Sequence, residues 1–425
     1  MWNFPISWKR YIDFTNFSCG LYNMRLFLLV VLLPNILLSN RLQDVIDRAP
    51  PYATIKLQDS IYEGNININK PLTILGTGDN VVIKGEGKRS VISITSSDVK
   101  LKHLSITNSG VDTQTIDAAI FMQKVKNCEV SYCKISDVLY GIDMDMVNHS
   151  LISHNYITTK KNDLPLRANA LKLYYSNYNI IKSNKIQNVR DVTLDYSNNN
   201  LLKDNEFIGN RFATHISLSH DNKLKGNIYK YNSVAMMFMG TKNTKVIDNK
   251  ILSSNGAAGI GVMIGGISNF LFKNNRVSFN AKAIYIQGQE KAKGMKRYII
   301  GNEISYNAEA LHFHASIKDN TIVKNRIFSN IDDIVKDTGG NFDTSNKVAY
   351  NYWDRYAGFD QDGDGVGDTP FKAYQYADQL WHYNHKVKFF YASPIMTLLN
   401  FLSNLAPFIE PNLIMEDKKP IYQSL

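Results

Sequence analysis

One phrase returns along this chain and leaves few folds open to it: an Asn, one variable residue, then an aliphatic or aromatic one. It reads Asn184-Lys185-Ile186, Asn205-Glu206-Phe207, Asn227-Ile228-Tyr229, Asn249-Lys250-Ile251, Asn275-Arg276-Val277, Asn302-Glu303-Ile304 and Asn325-Arg326-Ile327. Asn155-Tyr156-Ile157 belongs to the series, and Cys133-Lys134-Ile135 and Leu104-Ser105-Ile106 continue it with the Asn replaced. A second Asn commonly stands five residues on, as at Asn210, Asn232, Asn280, Asn307 and Asn330. The period is about 22 residues, in the range of stacked repeats.

A unit of that size cannot bury an apolar face alone, but stacking it on the next builds one continuous core. Each unit is rich in β-branched and aromatic residues in short alternation, with Asn and Gly at the turns, which spells short strands. The predicted fold is all-β: a right-handed parallel β-helix with coils of about 22 residues. The recurring Asn is expected at an equivalent bend in every coil. There its own backbone would take the left-handed conformation, and its amide would bond its counterparts above and below. Helical spacing fails and Ala is scarce, which excludes an α-solenoid. The Leu-x-x-Leu-x-Leu signature of leucine-rich repeats is absent.

Open ends of such a cylinder need covers. Leu42 to Arg48, ahead of Pro50-Pro51, reads as a short amphipathic helix capping the front. At the back, Asn351-Tyr352-Trp353-Asp354 leads into Asp360-Gln361-Asp362-Gly363-Asp364-Gly365-Val366-Gly367-Asp368. Asp360, Asp362 and Asp364 alternate as the first half of a calcium loop does, with the Val366 carbonyl and Asp368 as later ligands of Ca²⁺; Phe371 stands where an EF-hand carries its bidentate Glu. After Pro394, Ile395, Met396, Leu398, Leu399, Phe401, Leu402 and Leu405 put apolar side chains around much of a helix that Pro407 ends. Such a helix packs on the barrel, a partner or a membrane. The expected organisation is a leader over 1–39, the β-helix with its cap over 40–350, the Asp/Gly loop and C-terminal cap over 351–392, and an apolar docking tail with a helix over 393–425.

Met24-Arg25 precedes the apolar run Leu26 to Leu33, which continues to Leu38 before Ser39-Asn40-Arg41. This is the pattern of an export signal beginning at Met24, and it is short for a membrane span. The formal charge is +10, but the Lys residues fall one or two per repeat rather than in a block, which argues against nucleic acid. Of the three cysteines, Cys19 lies in the leader region, and Cys128 and Cys133 make neither a disulfide framework nor a metal motif. Cys133 replaces a ladder Asn and is expected to fill the core.

Two soft-ligand clusters occur in the middle coils. Ala235-Met236-Met237-Phe238-Met239 puts Met237 and Met239 on one strand face and Met236 on the other, with Met263 in the next coil. His312 and His314 share a face with Phe313 inward, and His215 and His220 sit in an earlier coil. Thioethers suit Cu(I), which makes Met237 and Met239 copper candidates; His312 and His314 form half of a metal site, and His215 and His220 fit a turn role equally well. Carbohydrate chemistry is the alternative, as a uronate polymer lyase or C5-epimerase. Tyr140-Gly141-Ile142-Asp143-Met144-Asp145 partly resembles the Tyr-Gly-Phe-Asp-Pro-His motif of alginate epimerases, with Met144 for the Pro and Asp145 for the His.

Taken together, the leader, the array, Asn351-Tyr352-Trp353, the run Asp362 to Thr369, and Ser393-Pro394 before an apolar tail resemble the NosD family of nitrous-oxide reductase maturation proteins. Arg167 to Leu173, Arg211 to His215, Ser219 to Asn222, Ala235-Met236-Met237 and Leu311-His312-Phe313 are similar to their counterparts. The resemblance covers essentially the whole chain after the leader. It implies a periplasmic, non-catalytic platform that works with the subunits of a membrane ABC transporter and a copper chaperone lipoprotein to assemble the copper-sulfide centre of nitrous-oxide reductase. Membrane contact would come through the partner, and copper would be bound transiently, with His215, Met237 and His312 at matching positions. Lys172 stands where relatives tend to carry His.

Overall fold

The computed structural model describes residues 30–32, 41–161, 163, 166–255, 258–287, 295–314, 317–337, 345–375, 386, 390, 393–405 and 412–423. Apart from Val30–Leu32, which lies parallel to Thr54–Lys56, the expected leader falls outside these residues. The architecture is a right-handed parallel β-solenoid of about 12 turns. Each coil crosses three faces. One coil runs through Leu201–Lys203 on the first face, Glu206–Ile208 on the second and Phe212–Ser217 on the third. The faces form parallel sheets of 14, 13 and 12 strands respectively.

Alternation within each short strand sends one set of side chains inward. Ile181, Leu202, Leu224, Val246, Phe272, Ile299 and Ile322 stack in one buried file, and Ile186, Phe207, Tyr229, Ile251, Val277, Ile304, Ile327 and Trp353 in another. Cys128 and Cys133 are unpaired and buried, and Cys133 fills the core where other coils place an Asn.

The corner between the first two faces explains the repeated Asn. Oδ1 of Asn205 accepts from the backbone N–H of Asn184 at 3.0 Å and from its Nδ2 at 2.9 Å. Nδ2 of Asn205 donates to the Ile181 carbonyl at 2.8 Å and to Asn227 Oδ1 at 3.0 Å. The same set recurs through Asn227, Asn249, Asn275, Asn302 and Asn325 to Asn351. These side chains are buried, so the amides satisfy turn groups that water does not reach.

The left-handed backbone, however, is not on the ladder Asn. It falls on the residue before it: Ser183, Asp204, Gly226, Asp248, Asn274, Gly301, Lys324 and Tyr350 all have φ between 54° and 68°. That residue makes the bend and turns its side chain outward, which frees the next one to point in and bond along the barrel. A second ladder through Asn210 and Asn232, and again Asn280, Asn307 and Asn330, serves the second corner. The third corner uses paired ladders of Ser176, Ser197, Ser219 and Asn179, Asn200, Asn222, unrecognised in the repeat phrase.

Both ends are covered. The N-terminal helix Arg41–Arg48 buries Leu42 and Ile46 on the first coil. Its Gln43 side chain imitates a strand: Nε2 donates to the Asn67 carbonyl and Oε1 accepts from Asn67 N–H at 2.8 Å. At the other end the expected tail divides. The helix Pro394–Leu405 exposes Ile395, Leu398, Leu399, Phe401 and Leu402. Residues after it return to the barrel, where Asn412–Asp417 pairs antiparallel with Phe371–Gln375. Asp417 Oδ2 ends the Asn ladder by accepting from Asn351 N–H, Asn351 Nδ2 and Trp353 Nε1.

Asn205→Ala leaves the Asn184 N–H and the Ile181 carbonyl buried without partners, so we expect a loss of about 3 kcal/mol, measured by denaturant unfolding.

Candidate metal-binding face

The third face carries the candidate donors because parallel register turns residues one coil apart into neighbours. Adjacent strands there lie about 4.8 Å apart. On its outer surface Asp143 pairs with Lys172, Lys172 with Thr193, and Thr193 with His215. The file continues from His215 to Met237, Met263, Tyr285, His312 and Val335. His215, Met237 and Met263 are therefore consecutive rungs. Met263, noted in the sequence only as falling in the next coil, proves to extend the series. Met239 lies on the same face two residues beyond Met237, more exposed, between Ser217 and Gly265. Met236 points inward, as alternation requires.

His215 follows an irregularity in the pairing between Asp191 and Thr193, where its strand holds one residue more than its neighbour. Bulges of this kind re-aim side chains. Arg211 forms a two-pronged pair with Asp191 beside it, and the Phe212 ring meets the imidazole edge-on. Burial lowers the His215 pKa, with Asp195 and Asp191 pulling the other way and Arg211 adding to the drop. The ring is thus neutral at physiological pH. Its Nε2 is buried and has no hydrogen-bond partner among the described residues. A neutral imidazole with an uncommitted nitrogen, on one file with thioethers one and two rungs away, supplies soft-metal donors.

His312 reaches the same file but in a different state. Nδ1 is bonded to Glu309, with Lys282 Nζ 3.1 Å away, and Nε2 lies 3.0 Å from Asp337 Oδ2. Burial pushes its pKa down, yet the hydrogen bonds to Asp337 and Glu309 outweigh that, and the net shift is upward. Nδ1 is taken by Glu309, while Nε2 faces Asp337 without an aligned hydrogen bond, so His312 is held between two carboxylates and is a less open metal donor than His215. His314 is exposed and also bonds Asp337, at 3.0 Å. His220 lies at the third corner, where its backbone N–H donates to Asn198 Oδ1.

At the barrel's end, carboxylate oxygens of Asp360, Asp362 and Asp364 lie within 4.8 Å of one another. Asp360 also accepts backbone N–H bonds from Gly363, Asp364 and Gly365, which folds the loop around it. Gly363 and Gly365 both have positive φ, which the tight turn requires. Asp368 stands outside the trio and accepts from Gln361 N–H instead. Val366 N–H donates to Asp364 Oδ1, and Val366 pairs with Ile421 of the returning chain.

Residues 159–358 match the family described as periplasmic copper-binding protein (NosD). Two curated relatives agree over most of the chain. The chain is 24% identical to a probable ABC transporter binding protein NosD of Pseudomonas aeruginosa, covering 82% of this chain and 83% of that one. It is 22% identical to the protein of the same name from Stutzerimonas stutzeri, covering 82% of each. The matched coils and both relatives liken the chain to the NosD family.

The NosD match spans every soft donor from His215 to His314 and ends before the Asp/Gly loop. Its description places the family in the periplasm, and among the described residues no helix is long and apolar enough to cross a membrane. Solved structures share the architecture at low identity. The mannuronan C-5 epimerase AlgE6 A-module of Azotobacter vinelandii has a TM-score of 0.50 at 13% identity, over 74% of this chain and 94% of that one. The catalytic unit of an α-1,3-glucanase from Streptomyces thermodiastaticus has 0.55 at 12%, over 74% and 66%.

The two histidines should separate in an NMR pH titration, His312 protonating above and His215 below the ordinary value of about 6.5. Because the His312 pKa is raised, its contribution to stability is full below about pH 6.5 and fades as pH rises through the folded value. His312→Leu should abolish that decline in the unfolding midpoint.

Proposed function

We propose that this NosD-like chain is a periplasmic accessory platform that holds copper transiently on the file His215, Met237 and Met263 during assembly of the copper-sulfide centre of nitrous-oxide reductase. The observation that carries this reading is the register: three soft donors on consecutive rungs, one of them a neutral imidazole with a free buried nitrogen. Two thioethers and an imidazole favour Cu(I) over harder ions. Met side chains have three rotatable bonds, so donors on neighbouring rungs converge without moving the sheet. Met239 lies on the same face nearer the corner and serves as an entry ligand.

In this reading copper arrives from a chaperone lipoprotein and leaves toward the reductase, and the chain sits on an ABC transporter. Names of the relatives support the transporter link. The helix Pro394–Leu405 carries no charged residue and exposes five large apolar side chains, which suits it to dock on a membrane subunit. The Asp360, Asp362 and Asp364 trio holds Ca²⁺ as a structural ion that stiffens the C-terminal cap. It offers only hard oxygens, the wrong set for Cu(I).

The competing carbohydrate reading would rest on Asp143, a buried carboxyl whose pKa is raised by burial and which lies 3.4 Å from Lys172 Nζ. The neighbouring Asp145 bonds Gln123, and no imidazole occupies the place where the epimerase motif has one. We therefore assign no catalytic residue. Release of unsaturated or epimerised uronate from alginate by the purified chain would overturn the assignment.

Cu(I) competition against a chromophoric chelator tests the site. Met237→Ala, Met263→Ala and His215→Ala should each weaken binding by about tenfold or more, and His312→Ala by less than about twofold. Affinity should hold down to about pH 6.5 and fall only below it, as the His215 ring protonates. Equal loss in all four variants would reject the file. Separately, chelation of Ca²⁺ should lower the melting temperature, and Asp362→Asn should remove that dependence; calorimetry with and without added Ca²⁺ decides this.

A further inference from the structure

The coils that carry the soft donors also carry a concentrated positive surface, on the first face. The lysines there look scattered in sequence because they fall one or two per repeat, but the register collects them. Lys182 pairs with Lys203, Lys203 with Lys225, and Lys225 with Ile247, which pairs with Lys273. Two residues back on the same outer surface, Leu201 pairs with Lys223, Lys223 with Lys245, and Lys245 with Leu271. Six ammonium groups thus share five rungs, a length of about 19 Å at the strand spacing of a sheet.

Like charges placed directly opposite one another destabilise a sheet. Little offsets them here: Lys203 and Lys225 reach Asp204 and Asp248 at 3.5 and 3.9 Å. Among the described residues, Lys182, Lys223, Lys245 and Lys273 have no carboxylate within 4.0 Å. Leu201, Ile247 and Leu271 lie between them, half-buried and outward. The patch is a stripe of cations interleaved with aliphatic side chains, one corner away from His215, Met237 and Met263.

We infer that this face is a docking surface for an acidic protein partner. A protein surface fits better than an anionic membrane because the stripe is narrow and edged with acid. Asp221 stands at the corner before it, and Asp204 and Asp248 at the corner after it. A bilayer is uniformly negative over a wider area and would meet those carboxylates as well as the lysines. A protein can set its acidic side chains opposite the lysines alone, so the flanking aspartates reject a shifted register. The inference does not depend on copper being bound.

The test uses the full chain and two probes, poly-L-glutamate and vesicles of phosphatidylglycerol. Lys223→Glu with Lys245→Glu reverses the centre of the stripe, and Lys134→Glu with Lys250→Glu makes the same charge change on the second face. We expect the first pair to weaken poly-L-glutamate binding at least about tenfold and the second less than about twofold. Equal losses would mean that net charge alone acts, and would overturn the inference. Vesicle binding as tight as that of poly-L-glutamate, lost with the same lysines, would overturn the choice of a protein. Lys223→Gln with Lys245→Gln gives the same ranking without new negative charge, and circular dichroism verifies that each variant is folded. Cu(I) affinity should be unchanged in all of them, so failure here and failure of the copper file are separate results.

Discussion

The Asn ladder is the interaction on which everything else in this structure depends. A coil that turns three times in about 22 residues strands turn N–H and carbonyl groups inside the barrel wall, where an unmade bond costs about 1–3 kcal/mol. A primary amide answers both kinds of group at once, because Oδ1 accepts while Nδ2 donates. Asn205 does so toward Asn184, Ile181 and Asn227 together. The ladder therefore fixes rise and register from coil to coil. With corners and interior satisfied from within, the outer faces are free to vary.

That freedom explains why a fold shared with an epimerase and a glucanase can hold a file of soft donors instead. The sheet supplies a ruler, and chemistry is written along it by residues one coil apart. His215, Met237 and Met263 are neighbours through register alone, and so are Lys182, Lys203 and Lys225. The same rule gives His215 and His312 opposite characters on one file. His215 is half-buried beside groups whose charges largely oppose one another, and it stays neutral. His312 sits between Glu309 and Asp337, one from its own strand and one from the next coil, and its pKa is raised.

Much of this is legible from the sequence, for reasons that can be named. The ladder Asn, the inward Ile and Val, the amphipathic Leu42 and Ile46 and the outward Met237 each follow from spacing. What spacing does not carry is conformation at the bend. Asn is a good left-handed residue, so it attracts that assignment, yet the bend falls one residue earlier on Ser, Asp, Gly, Lys or Tyr. The third corner is not legible along the chain, because Ser and Asn share it and the coil phrase does not mark it. The ties on His312 join residues from three coils, Lys282, Glu309 and Asp337, and no local pattern links them. The lysine stripe was invisible for the same reason: one or two per repeat is dilute along the chain and dense across it.

The C-terminal end shows how the ladder also dictates where a docking element can stand. The last Asn has no further coil above it, so its N–H and Nδ2 need an acceptor and nothing need be donated to them. A carboxylate is an acceptor only, and Asp417 takes both bonds together with the Trp353 indole N–H. Asp417 belongs to Asn412–Asp417, which pairs with Phe371–Gln375, and the helix Pro394–Leu405 is strung between these two strands. Its ends are therefore tethered to a surface already ordered by the ladder, although its own apolar side chains face solvent. Tethering at both ends removes much of the chain entropy that a free tail would lose on binding.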